Sequence, residues 1–278
     1  MRRQNTILIV LLAVLPHVSF ADLFYDDGGT HALSHTVYEP VAVMDNLAGQ
    51  STTLNFSGII DAVGGLGVYD TSIVNVDGGS ANGGLTAANN SFVSVLNGSF
   101  SQGVHAYGDS TIEWAGGYAG AFFASGGGQI TATDGVFSDI GVDNFGQIDI
   151  SGGRLHYGYI LATQGGQITI SGADPDYPVT SRLRVGYDAT ITLYGSDFWS
   201  NHNGGTLGYG ELTGPSGHLT GTLLNGVTVS SDYEVFGNGR IILAPEPEPE
   251  IIPTPSAVLL GGLGLAVAGH RLRKRKTT

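Results

Sequence analysis

Leu54-Asn55-Phe56, Val74-Asn75-Val76, Val93-Ser94-Val95, Ile112-Glu113-Trp114, Ile130-Thr131-Ala132, Ile148-Asp149-Ile150, Ile168-Thr169-Ile170 and Ile191-Thr192-Leu193 are one phrase, apolar-polar-apolar, written eight times. The first residues of successive phrases lie 20, 19, 19, 18, 18, 20 and 23 positions apart, a spacing too regular for unrelated strands. A repeat of about twenty residues predicts a solenoid, because each unit buries its apolar side only by stacking on its neighbours. Within a phrase the period is two, so the outer residues point to one side and the middle residue to the other. The outer columns are the expected core, and the Asn, Ser, Glu, Thr or Asp between them is the expected outward row.

Outward from each phrase the same order recurs. Glycines follow it (Gly58, Gly78-Gly79, Gly98, Gly116-Gly117, Gly135, Gly152-Gly153, Gly172, Gly195), as expected where a corner needs positive φ or close backbone approach. A second apolar point comes next, as at Phe100, Phe137 and Leu155, and then a third short stretch such as Val104 to Ala106 or Ile140 to Val142. Short strands in a coil of about twenty residues predict an all-β fold, a single-stranded right-handed parallel β-helix with rungs about 4.8 Å apart. A β-sandwich or barrel is the alternative, but it would use longer strands and has no need of one phrase per turn.

The chain divides accordingly: a signal peptide over 1–21, a first coil or cap over 22–50, parallel β-helix repeats over 51–195 and closing coils with a hairpin cap over 196–243. A Pro/Glu linker over 244–255 and a tail over 256–278 complete it. Arg2 and Arg3 begin a signal helix, Ile7 to Val18 supply its apolar region, and Ser19-Phe20-Ala21 predicts cleavage between Ala21 and Asp22. Asp26-Asp27 before Gly28-Gly29 reads as an acidic turn. Asp174 to Pro178 and Phe198 to Asn203 are insertions, and solenoid insertions gather as binding loops. Tyr177, Phe198 and Trp199 are therefore the candidate rings for stacking on sugars. Asn238-Gly239, between Tyr233 to Phe236 and Arg240 to Leu243, predicts a tight hairpin that closes the rod.

Charge narrows the partners. Between Asp22 and Pro255 four arginines face all 24 acids, with no lysine, leaving −20 on the body. Such a surface repels nucleic acid and anionic headgroups, and it leaves neutral glycans, divalent cations or solvent as partners. The chain has no cysteine, so neither disulfides nor thiolate metal sites contribute. The histidines form no His-Glu-x-x-His pattern and no glycine run carries a phosphate-loop lysine, so no metal and no cofactor is expected.

A polysaccharide lyase or glycoside hydrolase is the enzymatic alternative. Glu113 and Asp149 are both middle residues, but with Thr131 between them they stand two rungs, about 10 Å, apart. That is wider than the roughly 5 Å or 6.5–9.5 Å of paired glycosidase carboxylates. Arg182 and Arg184, alternating on one strand face, are the best available contacts for an acidic sugar. The expectation is that the chain is not an enzyme.

The tail carries the one family resemblance. Repeated proline in Ala244 to Pro255 keeps the linker extended. Ala257 to Gly269 is a short apolar helix of about 20 Å, a marginal membrane span, followed by the basic residues Arg271, Arg273, Lys274, Arg275 and Lys276. The order of signal, body, proline motif, apolar helix and arginine cluster resembles the PEP-CTERM family of exported bacterial proteins. Pro253-Thr254-Pro255-Ser256 stands in the place of that family's Pro-Glu-Pro-Ser, and a literal Pro245-Glu246-Pro247 lies upstream, so two proline pairs are candidates for recognition. The resemblance implies a sorting signal, processing by an exosortase-type enzyme, and delivery to the cell surface or the extracellular polysaccharide matrix. Until processing, the C-terminal helix would anchor the protein in the membrane. It implies a destination and no particular chemistry; a structural or adhesive role beside extracellular polysaccharide is the expectation for an acidic, lysine-free rod that presents polar rows to a hydrated matrix.

Overall fold

The computed structural model describes residues 23–246 apart from 157, 175, 176, 203 and 204. The signal helix with Ala21 and Asp22, the end of the linker, and the tail with Pro253, Thr254, Pro255, Ser256 and its basic cluster lie outside the described residues.

The eight phrases stack in register as a parallel ladder. Leu54 stands opposite Val74, then Val93, Ile112, Ile130, Ile148, Ile168 and Ile191. Thr30–Leu33 extends this first face at one end and Arg240–Ala244 at the other, so it comprises nine successive pairings. The structure is thus an all-β parallel solenoid of about nine turns with about 19 residues per turn. Two further faces complete each coil. The second runs through Thr36–Val37, Ile59–Ile60 and their successors to Arg154–Leu155. The third runs from Leu23–Tyr25 through Val41–Val43, Leu66–Val68, Leu85–Ala87 and Val104–Tyr107 to Tyr159–Ala162 and Arg182–Gly186.

The inward columns form one continuous core. At mid-rod the three faces meet on aromatic rings: Trp114 of the first packs 6.0 Å from Phe100 of the second and 5.4 Å from Phe122 of the third, and Phe122 lies 4.7 Å from Phe137. Edge-to-face and tilted contacts of this kind add to the area these large rings bury. Corners are held by glycine, as the punctuation predicts. Gly117 has φ +100°, and a Cβ on it would stand 2.0 Å from the Gly98 carbonyl of the preceding rung. A second corner device was not anticipated from the sequence. Ser91 and Ser110 are buried and turn their hydroxyls onto the carbonyls of Val68 and Ala87, bonding rung to rung where the strands themselves stop.

The two ends close differently. Residues 23–43 form the first coil: Leu23–Tyr25 pairs with Val41–Val43 at its close, and Thr30–Leu33 and Thr36–Val37 pair with the next coil. The ladder position of Leu54 is taken there by His31, which meets Asp27 at 2.7 Å and the Tyr25 ring at 4.8 Å. A polar residue at the end of an apolar column limits what the open rung exposes. Asp27 also accepts the Gly29 N–H at 2.8 Å, closing the acidic turn.

At the other end the hairpin expected at Gly237-Asn238-Gly239 is corrected. The strand before it, Thr228–Phe236, pairs with Arg182–Gly186 of the third face, and the strand after it, Arg240–Ala244, pairs with Thr190–Ser200 of the first. Asn238-Gly239 is one more corner of the coil. The closing hairpin is instead Ser216–Leu223 with Thr228–Phe236, turning at Asn225-Gly226, where Gly226 has φ +88°.

Candidate functional site: an open groove on the third face

Along the third face, residues alternate inward and outward. One outward file reads Thr86, His105, Phe123, Gly141, Leu161, Arg184 in register on successive rungs. The neighbouring file reads Ala121, Asp139, Tyr159, Arg182. Large side chains, Phe123 and Leu161, therefore stand on either side of Gly141, and small Ala121 lies beside Phe123. The result is an open groove of about 420 Å³, with Phe123 on one side and Leu161 and Tyr159 on the other. Such a volume is ordinary for a small-ligand cleft.

Glycine is decisive at the floor. Val142 and Ile140 on either side of Gly141 point inward, so a side chain at 141 would point straight into the groove. Its Cβ would meet only the edge of the Phe123 ring, 3.0 Å away. Gly67, in the same file nearer the N-terminus, is by contrast roofed by Tyr69, whose hydroxyl would lie 2.6 Å from an added Cβ.

The rim carries the polar groups. Asp139 Oδ1 accepts the Tyr159 backbone N–H at 2.9 Å, which leaves Oδ2 facing outward. His105 packs in an aromatic group with Tyr107 and Phe123, centroids 6.0 to 6.1 Å apart. Burial there pushes its imidazole below the ordinary histidine pKa, opposed by a hydrogen bond with the Gln102 backbone, so the ring is neutral at pH 7. Arg184 donates from Nε to Glu234 at 3.1 Å, and Arg182 reaches the same carboxylate at 3.3 Å. The two arginines weighed as contacts for an acidic sugar thus share one carboxylate.

The rings expected to stack on sugars fall in three different settings. Phe198 is corrected: it is 1% exposed, packed beneath Gly221, and presents no face to a ligand. A register shift between Ser196 and Trp199 in the antiparallel pairing with Ser216–Leu223 turns Phe198 into the core and Trp199 outward. Trp199 keeps an exposed face opposite Thr206 and Thr220. Tyr177 is covered on one side by the Arg154 guanidinium, 3.5 Å from the ring centroid.

Glu113 and Asp149 stand in register with Thr131 between them, and the hollow of about 310 Å³ around Glu113 is lined by Ser94, Thr131 and Thr133 together with Leu96 and Trp114. Among the described residues no group of three or more acids and histidines is arranged to hold a metal ion, and no helix is long and apolar enough to cross a membrane. Compared with family models, curated proteins and solved structures, the chain finds no match.

Proposed function

We propose that this chain is an exported, non-enzymatic protein of the cell surface or extracellular matrix, with a structural and adhesive role beside extracellular polysaccharide. The observation that carries the reading is the outward row of the first face. Asn55, Asn75, Ser94, Glu113, Thr131, Asp149, Thr169 and Thr192 stack one per rung, exposed or half-buried, on a rod without a lysine. Short hydroxyl, amide and carboxylate groups at a constant pitch of about 4.8 Å form a hydrated, repetitive surface suited to lying along another repetitive polymer. The coil is read as right-handed, the hand that parallel crossovers take.

Two features weigh against catalysis: the carboxylates of the first face stand two rungs apart, and Arg182 and Arg184 share Glu234. The tail is read as a PEP-CTERM-like sorting signal, processed by an exosortase-type enzyme after transient insertion in the membrane. The test is the intact mass of the protein recovered from its own cells, from membrane and medium separately, together with co-sedimentation with the cells' own polysaccharide. A mass running from Asp22 to about Pro255 or Ser256, with the protein in the polysaccharide fraction, is the expected result. A species retaining Arg271 to Thr278, or new reducing ends released from the polysaccharide, would overturn the sorting or the non-enzymatic part respectively.

A further inference from the structure

We propose that the groove over Gly141 is a binding site for a neutral polysaccharide, in which a pyranose ring lies over the glycine between Phe123 and Tyr159 and its hydroxyls reach Asp139 and Arg184. The proposal rests on the polysaccharide association above and names where, and to what kind of sugar, the rod binds.

The groove asks two things of an occupant, an apolar face and a polar edge. Its walls are apolar: Phe123, Leu161 and the Tyr159 ring, the last 53% exposed. The first face turns only polar residues outward, and apolar walls gathered around one hollow are what a partner would cover. The rim is polar, with Asp139 Oδ2 as acceptor and the remaining guanidinium N–H groups of Arg184 as donors. A wholly apolar occupant would strip water from Asp139 and offer it no hydrogen bond, at a cost that burial of the rings would have to offset. A pyranose has the required chemistry, since its axial C–H groups form an apolar face and its equatorial hydroxyls a polar rim.

Charge selects the neutral kind. A polyuronate would approach a body of −20 and meet the Asp139 carboxylate, while the nearest cation is already paired with Glu234. His105 adds no charge, because burial holds it neutral.

The floor supplies the fit. Phe123 and Leu161 lie in one file with Gly141 between them, hence two rungs or about 9.6 Å apart. That is the spacing of their backbones: the Phe123 ring leans over the glycine, its edge 3.0 Å from where a Cβ would stand, and a sugar ring would lie against that edge in the gap left towards Leu161 and Tyr159. Any residue larger than glycine at 141 fills that gap without touching the core, since Ile140 and Val142 alone point inward from this segment.

The test is affinity electrophoresis of the full-length protein through gels holding hydroxyethylcellulose, galactomannan, soluble starch or alginate. Retardation by at least one of the three neutral polymers and not by alginate is expected. Phe123→Ala, Tyr159→Ala and Gly141→Val should each weaken it about tenfold, while Tyr118→Ala, an exposed ring of the second face, should leave it unchanged. Tyr159 is exposed, so its variant should keep the wild-type unfolding midpoint and separate lost binding from lost folding. Retardation by a neutral polymer that survives all three groove variants would overturn the groove and leave the polysaccharide association standing. Retardation by alginate alone would overturn the neutral specificity. No retardation by any polymer, with native polysaccharide also failing to co-sediment, would remove both.

Discussion

Coil by coil the first face turns outward Asn55, Asn75, Ser94, Glu113, Thr131 and Asp149, while the third turns outward Gly67, Thr86, His105, Phe123, Gly141 and Leu161. Inward they are alike: Ile130 and Ile148 on one, Phe122 and Ile140 on the other, all at most 1% exposed. Stacking requires the same thing of both interiors, an apolar side chain at every second position, because burial drives the coil. It requires nothing of the outward rows. What stands there therefore carries information about use, and the aromatic and glycine residues of the third face are the departure that folding leaves unexplained.

If the interiors are equivalent, Ile148→Ala and Ile140→Ala should each lower stability by about 2–5 kcal/mol in urea unfolding. A third-face variant costing far less than its first-face counterpart would break the equivalence. Next in size is a contrast between glycines. A Cβ at Gly152 would stand 2.0 Å from the Thr133 carbonyl, a backbone atom that cannot swing aside, so Gly152→Ala should cost about 1–3 kcal/mol. Gly141→Ala, meeting only a ring edge on an outward strand position, should stay within about 1 kcal/mol of wild type. Comparable losses at the two would mean that Gly141 is structural and that the groove is a by-product.

Acid should act on the faces in separate windows. His105 has a depressed pKa in the folded chain, so below the ordinary value of about 6.5 the unfolded chain binds a proton that the folded one does not. Stability is full above that value and falls as pH drops towards the folded pKa. Unfolding midpoints measured across pH 5 to 7 should show this slope in wild type and lose it in His105→Gln. Asp27, held below the usual carboxylate range by its hydrogen bond to His31 and then by the Gly29 N–H, acts later: its contribution is lost only as pH falls below about 3.8 and on through the folded pKa. The smallest effect belongs to the polar ladder. Asn75→Ala removes an exposed amide hydrogen bond to Asn55, 3.0 Å, and should cost about 0.5 kcal/mol by chemical unfolding.

The first face was legible because its period-two phrase repeats without interruption, and alternation alone says which side is core. The corner glycines were legible for a related reason: each recurs just after the phrase. Phe198 was not, because a register shift two residues before it reverses the alternation that a loop reading cannot see. The groove was also missed. Phe123, Gly141 and Leu161 are eighteen and twenty positions apart, and only the pairing of rungs makes them neighbours. A search of the sequence for a column broken by glycine would have found it.

Asn238-Gly239 and Asn225-Gly226 mark the boundary most sharply. Both dipeptides encode a tight turn, and the sequence determined that the chain reverses or bends at each. Which turn makes a hairpin was decided by where the following strand finds its partner. After Gly239 the open edge of Thr190–Ser200 was available, and the strand continues the coil; after Gly226 the chain returned along Ser216–Leu223 and closed the end. Local sequence set the strands, the inward columns and the corners, because those depend on steric and apolar preferences within a few residues. Register between distant strands set the cap, buried Phe198 and assembled the groove, because those depend on hydrogen-bonding edges that exist only once the neighbouring rung has formed.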